Sequence, residues 1–285
     1  MTEFNRAQVW LGTMVEIRAT HESGKYLSHA INQAFDAIAK VHRAMTVHDS
    51  QSELSAINNN AHNARIQMTE GLRSVLRTAL DLAQQSNGLF DPTIGARLVQ
   101  VGLLPAPLTQ VDEHANWRDV DVNEDGVRFE RPLMLDFGGI AKGYAVDIAL
   151  EALRLVGCDR AIVNAGGDMA CFGRETETVH VRDPRGGYIP LLKLSNGALA
   201  SSCYVGARKK WRGRWTTPLV DTRTQRYSMT LKSATVTAPS CMIADALTKI
   251  VLLSSPTAAT LLTRYEASAV TLVNRRGELL MTRIE

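Results

Sequence analysis

The chain has 285 residues, of which 45% are apolar and 21% are charged, as is usual for globular proteins. Its 32 basic and 29 acidic residues give a net charge of +3, which is too balanced to indicate a nucleic-acid partner. No apolar run approaches the ~18 residues of a membrane span, so we expect no transmembrane helix.

The N-terminal segment and the cysteines together predict a cellular compartment. Residues 1–17 lack the basic, apolar and small-residue regions of a secretory signal. The four cysteines are widely spaced and form no CxxC pair, which argues against a zinc or redox motif. We therefore expect a cytoplasmic protein with reduced thiols.

The first part of the chain predicts a strand followed by helices. Residues 8–19 predict a strand, and apolar positions from Leu27 to Met45 recur at helical spacing. Ser52 then predicts the start of a short helix. This helix is expected to end in the run Asn58–Asn60, because asparagine tolerates left-handed conformations.

The next segments predict a third helix and a loop. Thr69 is the predicted cap of that helix, which stops before Asn87-Gly88. Residues 104–116 include two prolines and predict a linker or excursion. Since this is weak evidence for a domain boundary, we expect one domain over residues 1–285 with an excursion near 104–117.

The remainder is richer in strands. Strands are predicted near residues 118–122, 127–130, 133–136, 161–163, 169–172, 179–181, 191–194 and 198–201. A helix ended by Gly157 lies among them, and helices at 242–253 and 256–265 precede two closing strands. This order favours the α+β class, with a mixed, largely antiparallel sheet packed with helices.

Residues 136–147, DFGGIAKGYAVD, combine a predicted strand end, a glycine turn and a helix start. Gly138 and Gly139 have no Cβ and let a ligand approach the backbone, and the first N–H groups of the helix favour an anion such as phosphate. Asp136 and Lys142 flank this turn with opposite charges. The alternative is a tight turn with a solvated Lys142.

A second double glycine, Gly166-Gly167, follows another apolar strand and precedes Asp168. Two such turns suggest one shared ligand, and N–H groups beside carboxylates suit a dinucleotide. A simple hairpin is the alternative. Neither turn has the GxGxxG spacing of an ordinary NAD or FAD redox fold.

Two further segments place charged side chains where they need partners. Asp91 precedes a proline, which favours extended backbone and lets its carboxylate point into a cleft, although the same pattern also fits a turn. Asp245 lies close to Thr248 and Lys249 in an otherwise apolar predicted helix. A carboxylate and a hydroxyl suit Mg²⁺, whereas an Asp245–Lys249 ion pair at i, i+4 is the alternative.

One local basic cluster is interleaved with two tryptophans, at residues 208–215. Such a cluster can hold phosphates or stack on a flat ring. A solvated surface hairpin is the simpler interpretation.

The motifs, taken in order, resemble the ApbE family of FAD:protein FMN transferases over nearly the whole chain. The segments that carry the resemblance are LGTMVEI (11–17), SELSAIN (52–58), FDPTIG (90–95), DFGGIAKGYAVD (136–147), VNAGGDM (163–169) and ADALTK (244–249). The resemblance implies a T-fold-like architecture. It also implies an enzyme that splits the pyrophosphate of FAD, releases AMP and attaches FMN through its phosphate to a threonine of an acceptor flavoprotein, with Mg²⁺ as helper.

The resemblance also implies a set of site residues. Those expected to bind FAD are Leu11, His48, Phe90, Asp91, Asp136, Lys142 and Leu219, with Gly166, Gly167 and Asp168 against the nucleotide. The expected metal ligands are the Gly139 carbonyl, Asp245 and Thr248. Lys142, Asp245 and Lys249 are the candidate catalytic residues.

The chain departs from the family pattern at several of these positions. His48 stands where tyrosine is common, Leu11 where methionine is usual, and residues 218–225 lack the family's histidine. Lys249 stands where the family has a metal-binding threonine. Two unit charges ~4 Å apart interact by about 4 kcal/mol at an effective dielectric constant near 20, enough for Lys249 to pair with Asp245 and disfavour a divalent ion.

These departures leave several alternatives. Lys249 either pairs with Asp245 or points at the pyrophosphate while Mg²⁺ stays on Asp245 and Thr248. The chain is accordingly either a flavin transferase or an altered relative, one that binds FAD without transfer or hydrolyses FAD to FMN and AMP.

Overall fold

The computed structural model describes residues 2–182, 187–203, 208–230, 232–275 and 278–284. The chain divides into two compact units. Unit 1 comprises Met1–His42, Lys142–Val205 and Thr230–Glu285, and unit 2 comprises Arg43–Ala141 and Gly206–Met229. Within the described ranges, no helix is both long enough and apolar enough to span a bilayer.

The regular elements are labelled in chain order. The helices of the described residues are α1 (Gly24–Met45), α2 (Glu53–Asn60), α3 (Glu70–Gln85), α4 (Gly95–Gln100), α5 (Ala141–Leu155), α6 (Cys241–Leu253) and α7 (Ser255–Arg264). The strands are β1 (Thr2–Trp10), β2 (Thr13–His21), β3 (Val120–Asn123), β4 (Gly126–Phe129), β5 (Arg160–Ala165), β6 (Asp168–Phe172), β7 (Glu177–Arg182), β8 (Tyr188–Leu194), β9 (Gly197–Cys203), β10 (Lys209–Trp211), β11 (Arg214–Thr216), β12 (Val220–Asp221), β13 (Arg226–Tyr227), β14 (Lys232–Ala238), β15 (Ser268–Arg275) and β16 (Glu278–Ile284).

Unit 1 is built on an eight-stranded sheet with the order β1-β2-β5-β6-β9-β14-β15-β16. Every neighbouring pair in this sheet is antiparallel. Helix α6 packs on β9 and β14. Together these features confirm the predicted α+β class with a largely antiparallel sheet.

The sheet of unit 1 is covered on both faces. Ser202 on β9 faces α6, because its hydroxyl contacts Thr248. Leu199 is an odd number of residues away on the same strand and therefore faces the other side. There it joins Val179 and Val181 of β7 and Leu272 of β15 in a second apolar cluster.

The N-terminal strand prediction is wrong in its bounds. Residues 8–19 do not form one strand, since β1 and β2 pair as a hairpin that turns at Leu11 and Gly12. Leu11 has φ 56° and Gly12 has φ 73°. A positive φ is unusual for leucine. Because Leu11 is apolar, it continues the strand-like pattern of the sequence, and the turn is therefore not predicted.

The predicted strand at residues 133–136 is also wrong. Met134 makes only an isolated parallel bridge with Ile94. The segment is buried and is held by Asn58. The Asn58 side-chain amide donates to the Leu135 carbonyl at 3.0 Å and accepts from the Leu135 N–H at 2.8 Å.

The left-handed conformation expected at the end of α2 is absent. Ala61, the residue after Asn60, is right-handed with φ −67°.

Most predicted helices are confirmed within one or two residues at their ends. Ser52 caps α2 by accepting from the Ser55 N–H at 3.0 Å. Thr69 occupies the cap position of α3, although its hydroxyl donates to Glu53 and makes no cap hydrogen bond. The sequence did not predict α4 or the short strands β12 and β13, whose runs are too brief to show a period. It also did not predict β14 (Lys232–Ala238), a central strand of the large sheet.

Unit 2 contains the predicted excursion and the basic hairpin. Residues 104–116 contain no helix or strand. The basic residues 209–216 form the hairpin β10–β11, turning at Arg212 (φ 45°) and Gly213 (φ 81°) as the simpler interpretation predicts. Trp211 packs against Gly102, and Lys209 donates to the Gly102 carbonyl at 3.0 Å.

Helices α5 and α6 are docked through their backbones within unit 1. At Gly143, a Cβ atom would overlap the Cys241 carbonyl, so only glycine permits this approach. Asp147 of α5 accepts from the Cys241 and Met242 N–H groups at 2.8 and 2.9 Å and from the Ser240 hydroxyl at 2.9 Å. One carboxylate thus satisfies the free N–H groups at the start of α6.

We expect Asp147→Ala to lower the free energy of unfolding by about 2–3 kcal/mol, because it removes three charge-assisted hydrogen bonds. Urea unfolding followed by circular dichroism measures this change. Asp36→Ala is the matched control, an exposed aspartate on α1 whose replacement should change stability by less than about 0.5 kcal/mol. Equal losses in the two variants would show that Asp147 does not stabilise α6.

Candidate functional site

The site residues proposed from sequence fall into two groups, one in each unit. Unit 1 contains Leu11, Lys142, Gly166, Gly167, Asp168, Asp245, Thr248 and Lys249, and unit 2 contains His48, Phe90, Asp91, Asp136, Gly139 and Leu219. The structure brings several members of each group together.

The centre of the unit 1 group is an ion-pair cluster formed by Lys142, Asp168, Asp245 and Lys249. Lys142, in the first turn of α5, pairs with Asp168 at the start of β6 and lies 3.5 Å from the Asp245 carboxylate. The Asp245 side chain is fully buried and that of Asp168 is 2% exposed, whereas Lys142 is 32% exposed. Lys142 is therefore the member of the cluster most open to a ligand.

Lys249 is held more tightly than Lys142. Its ammonium pairs with Asp245 Oδ1, one turn earlier on α6. It also donates to the Asp245 backbone carbonyl at 2.9 Å and to the Ser202 hydroxyl at 3.3 Å. An ammonium has three N–H donors, so these three contacts use all of them. Of the two placements left open by the sequence, the structure adopts the ion pair.

A chain of hydroxyl groups completes this arrangement. Thr248 donates to the Asp245 carbonyl at 2.7 Å, which uses its only proton. The contact of 2.7 Å between Ser202 and Thr248 therefore has Ser202 as the donor. Ser202 in turn accepts from Lys249, while Thr248 is held by the Asp245 carbonyl, to which Lys249 also donates.

Burial and neighbouring charges shift the pKa values of the cluster. Burial acts to raise the pKa of Asp245, but the charges of Lys142 and Lys249 outweigh it and hold that pKa below its usual value. Burial likewise acts to lower the pKa of Lys142, but Asp245 and Asp168 outweigh it and raise that pKa. Burial, with the neighbouring charge of Asp245, raises the pKa of Asp168.

The second double glycine forms the turn between β5 and β6, beside the start of β2. Gly166 and Gly167 have φ values of 66° and 107°, and a Cβ on Gly166 would overlap the Thr13 hydroxyl. The Gly167 N–H donates to the Asn164 side chain at 2.9 Å, so the turn itself uses this donor. The turn also lines an open cavity of about 640 Å³ with Ser201 and Ser202.

In unit 2, Asp136 is fixed between two motif segments. Its backbone N–H donates to the Pro92 carbonyl at 2.8 Å, and its side chain accepts from the Gly138 N–H at 3.2 Å. Burial raises the pKa of Asp136, and the charge of the neighbouring His48 opposes that shift. The segment around Pro92 is thus bonded to Asp136, and the joint role of these residues and His48 in binding FAD stays a prediction.

Asp91 forms the turn that its sequence context also permitted. One of its carboxylate oxygens accepts from both the Thr93 N–H and the Thr93 hydroxyl, at 2.8 and 2.7 Å. The side chain lines a cavity of about 420 Å³ in unit 2, together with Trp117 and Arg118. Phe90 and Leu219 are buried, with 7% and 2% exposure.

As arranged here, the residues around Asp245 do not fit a bound Mg²⁺ ion. Asp245 Oδ1 is paired with Lys249, and Oδ2 accepts from the Gly143 N–H at 3.2 Å with Lys142 nearby. The Thr248 hydroxyl is engaged with the Asp245 backbone carbonyl rather than with the carboxylate. Across the described residues, no three His, Cys, Asp or Glu side chains are grouped so that they could hold a metal ion.

Three residues that position this cluster were not selected from sequence. Gly143 and Asp147 lie inside the DFGGIAKGYAVD segment, and Ser202 lies near the end of β9. A charge in an apolar helical segment was an available signal for Asp147, since such a charge needs partners. Nothing in the sequence distinguishes Ser202 from neighbouring serines.

Comparison with known proteins identifies relatives of the whole fold. The sequence profile of the ApbE family matches residues 11–272. A protein of Treponema pallidum named FAD:protein FMN transferase is 27% identical over 224 residues, which cover 68% of this chain and 62% of that protein. One of the same name from Haemophilus influenzae is 26% identical, over 77% of this chain and 71% of its own length.

Solved structures give the same result for the fold. The crystal structure of the ApbE protein from Thermotoga maritima superposes with a TM-score of 0.86 at 23% identity, covering 100% of this chain and 97% of that one. The Pseudomonas stutzeri flavinyl transferase ApbE superposes with a TM-score of 0.85 at 18% identity, covering 100% and 95%. With the family profile matching 262 of its 285 residues, from 11 to 272, the chain belongs to the ApbE family.

Proposed function

We propose that this protein transfers FMN from FAD to a threonine hydroxyl of an acceptor flavoprotein and releases AMP. The observation that carries the proposal is the buried ion-pair cluster, because motif segments from three parts of the chain meet in it. Family membership supplies the reaction class, and the names of the relatives supply FAD and FMN.

The reaction breaks the bond between the FMN phosphorus and the oxygen that bridges to AMP, and it forms a phosphoester to the threonine oxygen. Negative charge develops on the AMP phosphate as this bond breaks. A fixed cation at that point stabilises the transition state more than it stabilises the bound substrate. Lys142 suits this role because it is protonated and partly exposed.

The threonine hydroxyl gives up its proton as it attacks. Asp168 suits the role of acceptor, since its carboxyl group lies beside the partly exposed Lys142 and burial raises its pKa relative to an ordinary carboxyl group. Asp245 suits it less, because Lys142 and Lys249 hold its pKa low. On this proposal the two carboxylates have different tasks: Asp168 exchanges a proton, and Asp245 holds the lysines in place.

Mg²⁺ does not enter this mechanism, because the donors around Asp245 are already engaged by ammonium and N–H groups. In unit 2, Asp136 and His48 are proposed to contact FAD, with the Phe90–Asp91 segment beside them. The Gly139 carbonyl, expected from the family as a metal ligand, accordingly has no role in this mechanism.

A second candidate function is FAD binding without transfer, favoured by the ion pair that Lys249 makes with Asp245.

A product assay separates the alternatives. Purified protein is incubated with FAD and a panel of threonine-containing acceptor proteins, then analysed by mass spectrometry. We expect one acceptor to gain one FMN less water, with one AMP released per adduct. AMP without any adduct indicates hydrolysis, and bound FAD without AMP indicates a binding protein.

Replacing Lys142 tests the proposed cation directly. We expect Lys142→Met to lower kcat for AMP release by about 10²–10³-fold, the usual cost of losing one electrostatic contact in a transition state. Lys142→Arg keeps the charge and should retain more activity than Lys142→Met. Lys40→Met is the matched control, because Lys40 is exposed on α1. A Lys142→Met variant that is folded and as active as the Lys40→Met control would remove Lys142 from the mechanism.

A further inference from the structure

We infer that the Lys249 ammonium is a built-in replacement for a divalent cation, so that this protein neither binds nor needs a metal ion at Asp245. As far as it concerns catalysis, the inference rests on the proposed function. The metal-binding part stands on the geometry of unit 1 alone.

The Lys249 ammonium is saturated by acceptors inside the protein. Lys249 uses its three N–H donors on Asp245 Oδ1, the Asp245 carbonyl and the Ser202 hydroxyl. An ammonium held by these contacts takes the place of a metal ion and has no N–H left to donate to a substrate. Its side chain is only 12% exposed, in agreement with a position inside the protein.

The positive and negative groups of the cluster are also matched in number. Lys142 and Lys249 place two ammonium groups against the two carboxyl groups of Asp168 and Asp245, so the formal charges of these four side chains balance. With both carboxyl groups paired in this way, neither is left as an unpaired negative charge for a divalent ion. With an uncharged residue at position 249 the same cluster would carry a net charge of −1 around the fully buried Asp245 carboxylate, which is an attractive site for a cation.

Lys249 occupies oxygen atoms that could otherwise bind a metal ion. When Lys249 is absent, two oxygens that it now contacts become available, Asp245 Oδ1 and the Ser202 hydroxyl, while the Asp245 carbonyl still accepts from Thr248. These are hard ligands of the kind that Mg²⁺ and Mn²⁺ prefer. Lys249→Thr would add a hydroxyl at the same position. One substitution should therefore convert the ion pair into a metal site.

The test measures metal binding without any catalytic step. Mn²⁺ is titrated into the protein, with and without FAD, and free Mn²⁺ is followed by electron paramagnetic resonance. For the wild type, we expect Asp245→Asn to leave the binding curve unchanged. For Lys249→Thr, we expect one new bound ion per chain, at least about tenfold tighter than any wild-type binding, and lost again in Lys249→Thr/Asp245→Asn.

The matched control is Lys40→Thr, which introduces the same residue into a helix at an exposed lysine and should gain no ion. A wild-type site that Asp245→Asn abolishes would overturn the inference, and so would a folded Lys249→Thr variant that gains none. If Lys249→Thr does not fold, the comparison of wild type with Asp245→Asn still decides whether the native cluster binds metal.

Activity provides an independent second readout. We expect FAD cleavage by the wild type to be unchanged by EDTA, while Lys249→Thr becomes dependent on added Mg²⁺. The two proposals can fail separately. If no acceptor is ever flavinylated but Mn²⁺ binds only to Lys249→Thr, the proposed transfer fails and the replacement of the metal by Lys249 stands.

Discussion

The burial of the Asp245 carboxylate is the constraint on which the structure of unit 1 depends. An ionised carboxylate away from water is strongly unfavourable unless opposite charges and hydrogen bonds compensate it. Those partners come from the same helix at Lys249 and from α5 at Lys142 and Gly143. Helices α5 and α6 must therefore dock closely, and the missing side chain of Gly143 is what permits this.

The docking of the two helices explains why structural and chemical residues are interleaved along α5. Three residues within six positions do this. Lys142 supplies a positive charge beside Asp245, Gly143 lets α6 come close because it has no Cβ, and Asp147 caps the start of α6. A change at any of the three shifts Asp245 relative to Lys142. The precision of the cluster is thus a property of helix packing, since none of its members lies on a loop that could adjust independently.

The sequence predicts local relations well and relations between distant residues poorly. The helices α3, α5 and α6 follow from apolar spacing, and the Lys249–Asp245 pair follows from its i, i+4 separation. The pair of Lys142 with Asp168 needs the β5–β6 hairpin to be placed beside α5, which no local pattern contains. At Leu11 and at Leu133–Leu135 the patterns mislead, because apolar side chains there accompany a turn and an irregular buried segment.

The family motifs contain residues that hold the backbone in place and residues that are candidates for binding or chemistry. The hydrogen bonds of each side chain distinguish the two kinds. Asn58 lies in the SELSAIN segment and clamps the backbone of Leu135, one residue before Asp136. Asp91 lies in FDPTIG and closes its own turn. Lys249 lies in ADALTK, but its three donors are consumed within the protein. A motif position therefore does not by itself separate a structural side chain from one that can contact a ligand, because hydrogen-bond saturation decides which side chain remains free.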